Sequence, residues 1–297
     1  MLGESESSCS FLSPLIAFLT IGLTTGCDKD ELKGSSITVS VYPIEYLITN
    51  LYDIEESNYT INSIYPNGTN IEDYELTDKQ LSDYSKSTNL FVYNGLSNEK
   101  EIAKTLINKN KKIQIIDVSY GLKYQYGVEE LWLNPNNFLM LANTVKSDLE
   151  ELSSSKYAAD KIEKKYAELE ENLTTLDAEL RSISKTAKNN GKNTIIIAYD
   201  SFGFLEKYGF SIVNITNESN ITSSIKNKFK DKTYKYIFVN KKGDVSDSIK
   251  DLVDNYGAEL VEIDTMTTLT DKQKNNKENY LTIMNDFLTT LTNITSK

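Results

Sequence analysis

The stretch Tyr65-Pro66-Asn67-Gly68-Thr69-Asn70-Ile71-Glu72-Asp73-Tyr74-Glu75-Leu76-Thr77 joins two segments of different periodicity. Before it, residues 59–64 read as a β-strand, with Ile61 and Ile64 among β-branched and aromatic neighbours. After it, Thr77 with Gln80 three residues on is a capping-box start for a helix over 77–85. A polar loop carrying Pro66, Gly68 and three acids, set between strand exit and helix entry, is the ligand-facing end of a βα unit. Upstream, residues 37–42 read as a strand, and Pro43 opens a helix to about residue 52. Downstream come the strand Leu90-Phe91-Val92-Tyr93, a helix over 98–109 and a strand over 112–118. Strands alternating with helices predict parallel βαβ units.

A second loop, Glu129-Glu130-Leu131-Trp132-Leu133-Asn134-Pro135, opens a helix to about residue 151. A long polar helix then covers 155–189. Its apolar positions Tyr157, Ile162, Tyr166, Leu169, Leu173, Leu176, Leu180 and Ile183 step mostly by three, four or seven, and Asn189-Asn190-Gly191 supplies a C-cap. The βα alternation resumes with strands near 194–199, 211–215, 235–239 and 260–263, and a helix over 278–292 closes the chain. The expected fold is α/β: two βα lobes, residues 37–152 and 192–297, joined by one long rigid helix over 153–191.

Composition narrows the function. A net charge of −11 removes the basic footprint that nucleic acid or an anionic membrane surface requires. The chain has no histidine, and its two cysteines, Cys9 and Cys27, precede the folded body. Ser-His-Asp and Cys-His catalysis, Cys-type zinc sites and H-E-x-x-H hydrolase motifs are therefore excluded. No P-loop or G-x-G-x-x-G occurs. A carboxylate pair such as Glu129/Glu130 with Asp264 fits glycoside hydrolysis, but no other feature joins it. The chain does not read as an enzyme. The apolar run over 11–23 is shorter than a membrane span and ends in Leu23-Thr24-Thr25-Gly26-Cys27, a signal peptide with a lipobox over 1–27. Residues 28–36 then form a polar tether. The expected location is the outer face of the cell membrane, held by lipid on Cys27.

The two loops resemble the signature loops of the substrate-binding lipoproteins of zinc and manganese ABC importers. In that family they run roughly P-P-G-x-D-P-H-x-Y-E-P-T and D-P-H-x-W-L-D-P. The resemblance implies two lobes linked by a rigid helix and capture of a metal ion between them for a membrane permease. It places the first ligand at Glu72, among the matching Pro66, Gly68, Tyr74, Glu75 and Thr77. It places the second at Glu130, before Trp132-Leu133 and Pro135. The run Tyr199-Asp200-Ser201-Phe202-Gly203-Phe204 puts the third at Tyr199, and Asp264 is the acid that follows the last strand. Every family histidine is thus replaced by an oxygen donor. Such a set favours manganese or iron over zinc, and no other cofactor is implied. The implied partners are the metal ion, the permease and the membrane, with the receptor itself a monomer. Without the alignment, Glu72 suits a solvent-facing loop, Glu130 a helix start and Tyr199 a strand-end core position. An adhesion or non-metal-binding lipoprotein on the same fold is the alternative.

Overall fold

The computed structural model describes residues 32–53, 58–153 and 155–296. Cys27, the signal segment and residues 28–31 of the expected tether lie outside them; the rest of that stretch is not a free tether, since Leu32 is buried and Ser36 already opens the first strand. The first lobe runs β1 (Ser36–Val39), α1 (Tyr42–Leu51), β2 (Thr60–Ser63), α2 (Asp78–Ser87), β3 (Leu90–Tyr93), α3 (Glu99–Lys109) and β4 (Gln114–Asp117). Its strands are all parallel, in the order β2-β1-β3-β4. A short α4 (Glu130–Leu133) and α5 (Pro135–Leu152) lead into α6 (Lys156–Asn189). The second lobe repeats the topology. It comprises β5 (Thr194–Ile197), a 3-10 stretch Asp200–Tyr208, β6 (Ser211–Asn214), α7 (Ser223–Lys230), β7 (Tyr236–Asn240), α8 (Asp247–Tyr256) and β8 (Glu259–Ile263), with strand order β6-β5-β7-β8. Then α9 (Asp271–Asn275) and α10 (Tyr280–Ser296) return across the molecule.

Local chemistry sets the boundaries. The Thr77 side chain accepts from the Gln80 N–H, and the Gln80 side chain answers on the Thr77 backbone, so α2 starts with a complete capping box. Pro43 lies in the first turn of α1, where its missing N–H has no partner to lose. α6 is capped by Asn190, and Gly191 turns the chain out with φ +67°, a conformation that favours glycine.

At 34 residues, α6 is about 50 Å long. Its stripe Ile162, Leu169, Leu173, Leu176, Leu180 and Ala187 is buried against α5 and α10. Tyr157, read from periodicity as part of that stripe, is 62% exposed, with the Lys161 ammonium over its ring.

One core cluster spans both lobes, from Ile37 and Phe91 through α5 and α6 to Phe202, Phe204 and Leu291. On the opposite face of the second sheet, Ile196, Ile237, Val239 and Phe229 form a smaller cluster. Ile196 and Ile197 thus point to opposite faces, as successive strand residues must.

The two lobes are stitched together. The Trp132 indole donates to the Thr265 carbonyl at 2.7 Å, and the Tyr280 hydroxyl donates to the Trp132 carbonyl at 2.7 Å. Segment 265–269 lies along the first lobe: Tyr42 N–H donates to Thr267 O, and Gly68 N–H to Leu269 O. No helix among the described residues is long and apolar enough to cross a membrane.

Candidate metal centre

Three loops meet where the lobes face each other. Glu72 sits in a single 3-10 turn, Ile71–Asp73, whose Asn70 cap accepts the Glu72 N–H at 3.3 Å. Glu129 is the residue just before α4 and is 4% exposed. Tyr199 follows β5 in the second lobe. Its hydroxyl lies 2.7 Å from Glu129 Oε1 and 3.1 Å from Glu72 Oε1, so one phenol from the second lobe bridges two carboxylates from the first. Ser201, buried, donates to the other oxygen of Glu129. Burial raises the Tyr199 phenol far above its ordinary range, and Glu129 and then Glu72 raise it further. The phenol therefore keeps its proton, and that single O–H is shared between the two acids. The approach is close: a Cβ on Gly127 would collide with the Ser201 hydroxyl, and one on Gly203 with the Tyr126 ring. A cavity of about 310 Å³ opens beside this group at the ends of β5 and β7, with Glu72, Tyr199, Asn240 and Asp244 in its wall.

Glu72 and Tyr199, two of the four positions expected from sequence, are brought together. The other two are engaged elsewhere. Glu130 is fully buried. Its Oε2 accepts the Gln125 and Tyr126 N–H groups at 3.0 and 3.1 Å, and its Oε1 pairs with Lys207 of the second lobe. Burial pushes its carboxyl up, but Lys207 and the two N–H groups outweigh that and hold it below the usual range. Asp264 accepts Met266 N–H at 2.9 Å and the Gln273 amide at 2.8 Å, and lies 3.5 Å from Lys242 Nζ. Lys242 is itself largely enclosed. Burial lowers its pKa against the opposing pull of Asp264.

The four expected ligands therefore do not meet at one point. Among the described residues no three acidic side chains are grouped to hold an ion. The reason is local. Residues 129 and 130 fall at a helix start, where neighbours point about 100° apart, so only one can face Tyr199. Glu129 does, and aligning Glu130 with a family ligand passed it over. Its adjacency to Glu130 was the signal, but a helix register cannot be read from sequence to one residue.

Several oxygens nonetheless lie within the spacing one ion needs. Donors about 2–2.6 Å from a cation fall within roughly 5 Å of each other, and the Tyr199 oxygen is well inside that distance of both carboxylates. The group offers oxygen atoms only, with no nitrogen or sulfur donor among them.

A family model described as the periplasmic zinc-uptake complex component A, ZnuA, matches residues 37–294. Comparison with curated protein sequences gives no match. Among solved structures, the chain is similar to the metal-dependent lipoprotein YcdH from Bacillus subtilis, with TM-score 0.71, 19% identity and coverage of 87% of this chain and 98% of that one. It is also similar to the Zn(II)-bound ZnuA-like domain of Streptococcus pneumoniae AdcA, with TM-score 0.68, 18% identity and coverage of 89% and 99%. The periplasmic zinc-binding protein TroA from Treponema pallidum gives TM-score 0.65, 14% identity and coverage of 89% and 99%. At these identities the likeness is one of fold: two parallel-sheet lobes on a long helix.

Proposed function

We propose, because this chain belongs to the ZnuA family of periplasmic zinc-uptake components, that it is the extracytoplasmic substrate-binding lipoprotein of a metal-ion ABC importer. It is anchored through Cys27 and delivers its cargo to a membrane permease. The observation that carries the proposal is the bridge made by Tyr199 between Glu72 and Glu129 across the lobe boundary. A cation entering there would take one oxygen from each acid and the phenol oxygen, replacing the hydrogen bonds that now hold the three together. Recruiting Glu130 and Asp264 as well requires Lys207 and Lys242 to release them.

An oxygen-only set gives up the preference for zinc that nitrogen and sulfur ligands confer, so manganese or iron is the favoured cargo. The seam of hydrogen bonds along 265–269 supports capture with little lobe movement.

A specific observation favours a second reading, a binding or adhesion lipoprotein that has dispensed with the metal. Lys207 and Lys242 neutralise two of the four family ligand positions from within the protein. Elemental analysis of protein purified without chelator, with competition among Mn(II), Fe and Zn(II), separates the two. Metal capture gives close to one ion per chain, with manganese or iron displacing zinc. Empty protein that takes up none of the three supports the metal-free reading. Tight zinc binding with the other two inert refutes the selectivity.

A further inference from the structure

Two enclosed carboxylates, both at positions aligned with the family's ligands, already have cations of their own. Glu130, from the first lobe, is fully buried, and its Oε1 is met by the ammonium of Lys207 from the second. The Asp264 side chain is 8% exposed and lies 3.5 Å from the ammonium of Lys242, whose side chain is 9% exposed. The Lys242 ammonium sits among oxygens. It donates to the Thr268 carbonyl, with Asp264 Oδ1 and Thr268 Oγ1, the latter at 3.4 Å, beside it.

Both ammonium groups act on the lobe boundary. The pair Lys207–Glu130 spans it directly. Lys242 grips Thr268, whose hydroxyl donates to the Thr69 carbonyl of the first lobe at 3.0 Å. Beside it, Gly68 N–H donates to Leu269 O and the Asn67 amide donates to Asp271 at 2.8 Å. The loop that carries Glu72 is thus docked on the segment that Lys242 holds.

A carboxylate taken out of water needs a positive partner. A captured ion would supply that charge only while it stays bound. Here two side chains supply it permanently. Tethering gives each ammonium an effective concentration of about millimolar at its acid, ahead of a free ion at lower concentration. A solvated surface pair would contribute little, but of the four groups only Lys207 is substantially exposed. We propose that Lys207 and Lys242 are built-in cations that keep the two lobes joined with no ion bound. A partner that touches both lobes then meets the same surface on empty and on loaded protein. The proposal does not rest on cation capture by the Glu72–Tyr199–Glu129 bridge.

The test removes each ammonium from the full chain, in a Glu72→Gln/Glu129→Gln background that silences the bridge. Lys207→Ala and Lys242→Ala are the variants, because alanine leaves room for an ion beside each acid. Thermal unfolding is followed in chelator and with excess Mn(II), Mg(II) or Ca(II). The background protein should unfold at the same temperature in every condition. Each lysine variant should unfold several degrees lower in chelator and regain at least half of that loss with one of the ions, a recovery that a merely structural loss would not show. Variants as stable as the background in chelator, a loss that no ion restores, or a background that gains as much as the variants would overturn the proposal. Hydrogen exchange on the wild type needs no variant to fold. In chelator the amides of Gly68 and Tyr126, which donate to Leu269 O and Glu130 Oε2, should exchange about a hundredfold or more slower than in an unfolded chain. Unprotected exchange at either amide in chelator would overturn the proposal as well.

Discussion

Lys207→Met should lower the stability of the fold by about 2–4 kcal/mol at neutral pH. Methionine keeps the aliphatic stem and removes the ammonium that pairs with Glu130. Glu130 is fully buried, so the change strands a carboxylate in a low-dielectric interior with two backbone N–H groups and, 3.4 Å from Oε1, the Asn137 amide for company. Removing one partner of a buried pair typically costs 3–5 kcal/mol. The Lys207 side chain is 41% exposed, which screens the pair and moves the expectation downward. The sign follows from the depressed carboxyl of Glu130. Its stabilising contribution is present above the ordinary carboxylate range and is lost as pH falls. The variant should therefore differ most from wild type near neutrality and least in acid. Urea unfolding at several pH values measures this. Adding Glu130→Gln to Lys207→Met should recover much of the loss, because no buried charge is then left unpaired. A single variant as stable as the wild type at pH 7 would show that the pair contributes nothing.

Glu99 gives a pH dependence of opposite sign. It is 2% exposed, accepts Asn94 N–H at 3.1 Å and faces the Tyr65 hydroxyl at 3.5 Å. Burial pushes its carboxyl from 4.5 up to about 7. A raised acid favours folding fully below its unfolded value, and that contribution disappears as pH rises through the folded value. The gap corresponds to about 3 kcal/mol. Glu99→Gln removes the titration while keeping the shape. Between pH 4.5 and 8 the stability difference should move by about 3 kcal/mol in favour of the glutamine variant. A difference that stays constant across that window would mean Glu99 is not protonated in the fold.

Much of the architecture was legible because local signals and tertiary packing agreed. Thr77 with Gln80, Pro43, and the Asn190-Gly191 cap all mark boundaries found in the structure. The leucine spacing of α6 is the buried stripe. Tyr157 broke the pattern because its position lies beyond the packed face, where periodicity alone cannot tell burial from exposure. The α9 capping box, Thr270 with Gln273, was present in the sequence but passed over, since five residues are too few for a periodic signal. The candidate centre was harder. Motif alignment named Glu72 and Tyr199, which lie at strand ends and sit 3.1 Å apart in the structure. It could not see that Lys207 and Lys242, far away in sequence, would turn to Glu130 and Asp264. Nor could it resolve which of two adjacent glutamates faces the cleft. Both depend on side-chain direction at a single turn.

The most direct test is a calorimetric titration of Mn(II) into chelator-treated wild type and into the double variant Glu72→Gln/Glu129→Gln. These two carboxylates face each other through Tyr199 and pair with no lysine among the described residues, so neutralising them should weaken the cation site without unpairing a buried ammonium. The expected result is one saturable site per chain in the wild type, with affinity falling at least a hundredfold in the variant while its unfolding midpoint stays close to that of the parent. Equal Mn(II) affinity in the two proteins, or no heat with the wild type, would contradict cation capture by the Glu72–Tyr199–Glu129 bridge.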